Sequence, residues 1–269
     1  MNIQDIKKEI DSADMVLVGI GAELSANKIF PYDSKEIINF YETLGMKQYE
    51  TVVKESEQKK EMEYLRDLYY FYYIRTHKIA TLYDQLAECL SDKNYFIITS
   101  NTDDLIYSSK LEEEKIVSPC GTRAYFQCSV GCNRSLYSAE ALMLAKIKEY
   151  EETGETSQIA CGQCKKPLEF NVRTKESAAH YVEEGYLEQW EAYTKWLQRT
   201  LNKKVLVLEL GEGFEQPSLF HWPFERLVYF NQKAKLVRVH KKLSQVGEEL
   251  KERGLSIPMS SVDFLNGKE

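Results

Sequence analysis

The chain has 269 residues, 43% hydrophobic and 29% charged, the make-up of a globular protein able to bury a core. Its net charge of −7 excludes broad contact with nucleic-acid phosphates, which needs clustered Lys and Arg. No apolar run approaches the roughly 20 residues of a membrane helix, and residues 1–14, MNIQDIKKEIDSAD, lack the apolar stretch of a secretory leader. A cytoplasmic protein without nucleic-acid or membrane partners is expected.

In chain order, the apolar run MVLV at 15–18 enters the turn GIGA at 19–22, a buried strand meeting a tight turn. Such a turn suits a pyrophosphate resting on backbone N–H groups at a helix N-terminus. Gly-x-Gly is also common by chance, and a ligand-free strand-to-helix turn reads it equally well. Residues 28–78 are rich in charge and Tyr, with helical segments and no strand. Their run LYYFYY at 68–73 is placed on a helix with a buried face, because 61–65 and 75–79 continue the helical spacing. Residues 81–90 predict a helix with Leu82, Leu86 and Cys89 or Leu90 on one face.

The next strand, YFIIT at 95–99, is followed by SNTDD at 100–104. Polar side chains there stand at the carboxyl end of a sheet, where open α/β folds bind ligands. A capping turn draws on the same residue types and is the alternative reading. Residues 124–171 interrupt the alternation and hold four closely paired cysteines. Beyond them 178–201 predicts one long helix, with Tyr181, Leu187, Trp190, Tyr193, Trp196 and Leu197 as its apolar content. Strands are predicted at 205–210 and 236–239. Strands alternating with helices give an α/β fold with a parallel sheet, carrying two smaller insertions.

Cys128-x3-Cys132 and Cys161-x2-Cys164 have the spacing of two metal-binding knuckles. Four thiolates suit a tetrahedral zinc ion and leave no position open for water, so the expected role is structural. Four buried free cysteines and an iron–sulfur cluster are the alternatives. Pairing at short spacing, rather than even spread, points to metal binding in a reducing compartment.

Taken in order, these motifs resemble the sirtuin family, most closely the sirtuins encoded beside macrodomain proteins in microbes. The segments that carry the resemblance are GIGAELSA at 19–26, 95–103, YFQC at 125–128 and 164–173 with Pro167, Phe170 and Asn171. LELGEGF at 208–214 with Pro223 and Phe224 completes the set; residues 27–80 match poorly. The resemblance implies a Rossmann-type NAD domain from 1–27, 79–123 and 172–269. A helical module at 28–78 and a zinc-binding module at 124–171 are inserted in it. NAD is then a substrate, bound by Gly21, Ala22, Glu23, Ser25, Thr99, Asn101, Asp103, Gly211 and Gly213. Asp103 would orient the nicotinamide amide and Asn101 would position ribose or a water. A fixed carboxylate and amide dipole favour the positive charge that develops on the ribose as the glycosidic bond breaks. Arg173 matches a family arginine that would contact the acceptor or a phosphate; a surface ion pair is its alternative.

Two residues depart from the family pattern. Deacylating sirtuins keep a histidine as general base before the glycine at position 121; here the residue is Cys120, and the macrodomain-linked relatives typically have glutamine. A free thiol is mostly protonated at neutral pH. Cys120 therefore reads as a pocket-lining residue without deacylase chemistry, as a reactive thiol, or as a small buried filler. Second, Glu23 replaces the last glycine of Gly-Ala-Gly. Its carboxylate would repel a pyrophosphate, cap its own helix or turn to solvent, and weakened NAD binding is expected.

The reading is an NAD-dependent transferase that mono-ADP-ribosylates a protein. The resemblance points to a lipoyl-carrier protein as acceptor and a macrodomain hydrolase as partner. The alternatives are a catalytically silent NAD or ADP-ribose sensor and a weak NAD-dependent deacylase.

Overall fold

The computed structural model describes residues 1–77 and 81–267. The expected boundary at 78/79, and the end of the helical stretch at 75–79, lie outside the described residues. Helix α1 (Lys7–Ser12) leads into β1 (Met15–Ile20), buried along its whole length. After a 3-10 turn at Ala22–Leu24 come α2 (Ala26–Ile29), α3 (Lys35–Thr43), α4 (Tyr49–Ser56) and α5 (Lys60–Thr76). Next are α6 (Asp84–Leu90), β2 (Tyr95–Thr99) and β3 (Ile116–Val117). A second group comprises β4 (Gly121–Cys128), β5 (Tyr137–Ser138), α7 (Ala139–Thr153) and β6 (Leu168–Val172). The chain then forms α8 (Leu187–Gln198), β7 (Val205–Leu210), α9 (His221–Phe230), β8 (Lys235–Val239), β9 (Gly254–Ile257) and α10 (Ser261–Leu265).

Six parallel strands form one sheet in the order β3-β2-β1-β7-β8-β9. This is the doubly wound order, with its reversal between β1 and β7. Helices cover both faces, which is why the central strands β1 and β2 read as apolar runs rather than alternating ones. Val16, Val18, Leu206 and Leu208 enter the larger core, with Ile10 of α1, Leu86 of α6 and Phe264 of α10. Leu17, Phe96 and Val207 face the other way, against Tyr193 and Trp196 of α8 and Phe224 of α9.

The run 68–73 lies inside α5, with Leu68, Tyr69, Tyr70, Phe71 and Tyr73 buried. Buried tyrosines need partners for their hydroxyls, and three of them here have one. Tyr49 donates to Tyr32 O at 2.6 Å, Tyr70 to Phe30 O at 2.8 Å and Tyr69 to Glu151 Oε1 at 2.6 Å. Glu151 of α7 also accepts from the N–H groups of Lys47 and Gln48, both at 3.0 Å, tying α7 to the start of α4.

The smaller sheet, β5-β4-β6, is antiparallel. Beyond it the structure corrects the single helix expected over 178–201, because α8 starts only at Leu187. Val182 is extended. Its N–H donates to Gln127 Oε1 at 3.0 Å and its carbonyl accepts from Asn171 Nδ2 at 2.9 Å. Those buried amides require partners and take the backbone groups that a helix would use internally.

A candidate active site where the strand order reverses

The loops after β1 and β7 leave the sheet at the reversal of strand order, the place where open α/β sheets bind ligands. A cleft of about 540 Å³ opens there, bounded by Ala22 and Glu23, by Ser100 and Asn101, and by Gly211 to Gly213 with Glu215 and Gln216. That volume suits a small-molecule ligand. Of the residues expected to hold NAD, Ala22, Glu23, Asn101, Gly211 and Gly213 line this one cleft. Gly21, Ser25, Thr99 and Asp103 stand outside its lining.

Thr99 acts as a splint for the loop after β2. Its Oγ1 donates to Ile20 O at 3.1 Å and accepts from Asn101 N–H at 3.0 Å. Asn101 in turn donates from Nδ2 to Gly21 O at 3.0 Å, so its amide is fixed against the β1 turn. Asp103 is buried, and its Oδ2 accepts from Ala26 N–H at 2.7 Å and its Oδ1 from Leu105 N–H at 3.0 Å. Burial pushes its carboxyl up to about 6, against the pull of those two donors. The capping alternative thus describes the contacts of Asp103, which holds the loop to the first residue of α2.

At the expected phosphate turn most backbone donors already have partners within the fold. Helix α2 has four residues, and its first N–H is taken by Asp103. The N–H groups of Gly21, Glu23, Leu24 and Ser25 bond to Leu210, Gly211, Gly21 and Ala22 carbonyls. A turn that satisfies its own donors has few left for a phosphate.

Glu23 neither caps the helix that follows it nor turns to solvent, while it stays in the lining of the cleft. Its Oε1 accepts from Lys241 N–H at 3.0 Å and its Oε2 from Ser261 N–H at 2.9 Å. It therefore caps α10 rather than the helix that follows it in sequence. His240 Nε2 stands 3.6 Å from Oε1.

Sequence reading named the glycines at 211 and 213 but passed over Glu212 between them. Glu212 is 4% exposed, lines the cleft and accepts from Ser100 Oγ at 3.2 Å through Oε2. Burial pushes its carboxyl up to about 7. A Cβ added at Gly21 would lie 2.4 Å from Glu212 Cα and 2.6 Å from Oε2, so position 21 admits only glycine while Glu212 sits there. The available signal was a charged residue between two glycines at the end of an apolar strand.

Cys120 is 5% exposed and donates from Sγ to Gln216 Oε1 at 3.0 Å. Burial, then the nearby Glu212 charge, pushes the thiol up to about 11. Near neutral pH it is a thiol and no base. Arg173 is exposed and donates its backbone N–H to Cys120 O at 2.9 Å. Its guanidinium tempers the thiol's upward shift. Gly121 fixes this corner: its φ is +102°, and a Cβ there would meet Asn171 O at 2.2 Å.

The four paired cysteines converge. Their Sγ atoms all lie within 4.8 Å of one another, Cys128 and Cys164 at 3.5 Å, Cys132 and Cys161 at 3.7 Å. Tetrahedral bonds of about 2.3 Å separate sulfurs by roughly 3.8 Å, so the donor set can hold a metal ion. Backbone N–H groups of Cys164 and Gln163 favour the Cys161 thiolate, while burial and the crowding of neighbouring thiols push Cys132 the other way.

Sirtuin structures match along almost the whole chain. One described as the structural basis for sirtuin substrate affinity covers 99% of this chain and 97% of its own, with a TM-score of 0.57 at 16% identity. A Sir2 structure with p53 peptide and NAD+ covers the same shares, with a TM-score of 0.54 at 17% identity. The chain has the sirtuin fold. A relative from Staphylococcus aureus (strain Mu50 / ATCC 700699), named protein ADP-ribosyltransferase, is 24% identical over 260 residues, covering 94% of this chain and 82% of that protein. Another, from Fusarium oxysporum f. sp. cubense, is named probable bifunctional ADP-ribose hydrolase/ADP-ribosyltransferase. It is 28% identical over 251 residues, 86% of this chain, and the match spans 41% of that longer protein. No protein-family profile matches the chain. Within this sirtuin fold Cys120 lies behind Gln216 at the cleft, and the four-cysteine cluster sits at the far end of β4.

Proposed function

We propose that this sirtuin-fold protein is an NAD-dependent transferase that moves ADP-ribose from NAD onto a protein acceptor. The observation that carries the choice of reaction is the state of Cys120, a buried thiol pushed up to about 11 and bonded to Gln216. Deacylation needs a base on a ribose hydroxyl, whereas ADP-ribosyl transfer needs nicotinamide to leave and a nucleophile to arrive. The names of both relatives support the same reading.

NAD would lie across the reversal of strand order, against Ala22, Asn101, Gly211 and Gly213. The Asn101 amide, held by Gly21 O, would meet the reacting ribose or an attacking water. Asp103 would act as a positioning residue for that loop, since each carboxylate oxygen already accepts a backbone N–H. The NAD-binding unit would comprise 1–27, 79–123 and 172–269, with 28–78 and 124–171 as the inserted helical and metal-binding modules. The ion held by Cys128, Cys132, Cys161 and Cys164 is proposed to be zinc, in a structural role, because the set is all sulfur.

Sirtuin resemblance alone makes a lipoyl-carrier protein the first acceptor to test. The double name of the Fusarium relative supports a macrodomain hydrolase as the partner that removes the modification. A cytoplasmic location belongs to the same proposal, supported by six cysteines free of disulfides; no described helix is long and apolar enough to cross a membrane.

The test is incubation with labelled NAD and candidate acceptors, read as label on protein and nicotinamide released. Asn101→Ala and Asp103→Asn are expected to abolish both signals. No transfer and no nicotinamide release at high enzyme concentration would instead establish the silent NAD-binding reading.

A further inference from the structure

Loss of the usual base leaves a question for any transfer reaction at this cleft, namely where the acceptor's proton goes. Among the described residues that line the cleft, the ionisable groups can be taken in turn. Both oxygens of Glu23 are held by backbone N–H groups. His240 Nδ1 accepts from Lys242 and Leu243 N–H at 3.0 and 2.9 Å, which leaves its proton on Nε2, facing Glu23. Glu215 and Lys28 are exposed and Asp263 is half-buried at the rim, so water screens them. Behind the lining, Cys120 is already a donor to Gln216.

Glu212 differs from all of these. It is a buried carboxyl in the lining, at the meeting point of the loops after β1, β2 and β7. Its Oε2 is aimed by Ser100 and packed against Gly21. Asn101, the residue assigned to the reacting ribose, is bonded to that same Gly21. We propose that Glu212 is the general base of the transfer reaction, taking the proton from the acceptor nucleophile as it adds to C1′ of the nicotinamide ribose.

The step balances. The C1′–N bond breaks with its electron pair going to the nicotinamide ring nitrogen, which becomes neutral. The acceptor's lone pair forms the new bond to C1′, and its proton passes to the Glu212 carboxylate and then to solvent. The products are nicotinamide, the ADP-ribosylated acceptor and one proton.

The charge environment suits a base near neutrality. Burial raises the affinity of Glu212 for a proton, and Glu209 and Glu215 add to it, while the Ser100 hydroxyl opposes them. The carboxyl is pushed up to about 7, where a base is partly ionised and still a competent proton acceptor. Cys120 faces it from the β4 side as a neutral thiol, and Gly21 faces it with backbone alone.

The inference rests on the transferase reading, and the experiment separates the two. With NAD as probe and water as nucleophile, initial rates of nicotinamide release are measured from pH 5 to pH 9. Wild type is expected to show a rise with a midpoint near 7, because only the carboxylate form can accept the proton. Glu212→Gln is expected to lower the rate at pH 8 by at least about 100-fold, the usual scale of general-base catalysis, and to flatten the rise. Ser100→Ala, which removes the bond favouring the carboxylate, is expected to move the midpoint upward. Carboxyl carbon-13 titration of wild type supplies a readout that needs neither activity nor a folded variant, with a Glu212 signal expected to titrate near 7. A Glu212→Gln protein that keeps the pH-dependent rise, or the absence of any such carboxyl titration, overturns the proposal. No nicotinamide release by wild type at any pH overturns the transferase reading, and this inference falls with it.

Discussion

Cys120 donates to Gln216 at 3.0 Å and is 5% exposed, so residue type alone did not define its chemistry. A thiol in a base position was visible in the sequence; the burial and the Glu212 charge that keep it protonated were not. With its pKa raised from 9.0 to about 11, the thiolate fraction near pH 7.5 falls about 100-fold. Iodoacetamide is therefore expected to label Cys120 at least about 100-fold more slowly than an ordinary exposed thiol, as measured by peptide mapping over time. Labelling at the ordinary rate would mean the thiol is activated after all. Glu23 is held by contacts remote in sequence. Its backbone partners lie 218 and 238 residues away, so no local pattern reports them. Glu23→Gly releases two charge-assisted bonds and is expected to lower stability by about 1–3 kcal/mol, read by urea denaturation. The same change frees two N–H donors and removes a carboxylate from the cleft. Calorimetry is expected to show NAD binding about tenfold tighter; unchanged binding would mean that no phosphate approaches Glu23.

Among the elements, those buried on both faces were the most legible. The strands at 95–99 and 205–210 stand where their largely apolar runs placed them, because a sheet covered on both sides favours apolar side chains on both faces. The edge strand β9 escaped notice since Leu255 and Ser256 are exposed, and β3 is only two residues long. Helix α8 was misjudged in length because Gln127 and Asn171 claim the backbone of Val182. One polar interruption joins β7 to β8 and α9. Glu209 and Arg238 are 1% and 2% exposed. Glu209 accepts from Arg238 Nε at 2.8 Å and pairs with His221 Nδ1 at 2.9 Å. Arg238 also reaches Glu225 at 3.0 Å and Gln245 O at 2.7 Å. Arg238→Met leaves Glu209 buried without its cationic partner, and the loss is expected to be about 3–5 kcal/mol. Paired with Glu209→Gln in a double variant, the loss is expected to shrink, since the stranded charge is gone. Equal losses in the single and double variants would show that packing, not charge, sets the cost.

For the whole molecule, the α/β class and the two interruptions were legible from alternation and cysteine spacing, and the doubly wound strand order accounts for the cleft. What the sequence concealed is how the parts are joined. Arg123 of β4 lies 3.8 Å from the centre of the Phe71 ring of α5 and 5.1 Å from that of Phe170 of β6. Strand β4 itself starts at Gly121, beside Cys120, and ends at Cys128 in the four-cysteine cluster. A metal ion there would anchor the far end of the strand whose near end adjoins Cys120, the residue bonded to Gln216 of the cleft. Elemental analysis is expected to find one zinc per chain. Its removal by a strong chelator is expected to lower the melting temperature, because four crowded thiols lose the cation that neutralises them. If β4 transmits that loss, Cys120 alkylation must accelerate on chelation while the six-stranded sheet keeps its circular dichroism. Cys128→Ser is expected to reproduce both effects without chelator. A chelated protein whose Cys120 stays as slow to label as before would show that the metal stabilises its own sheet without holding the cleft in place.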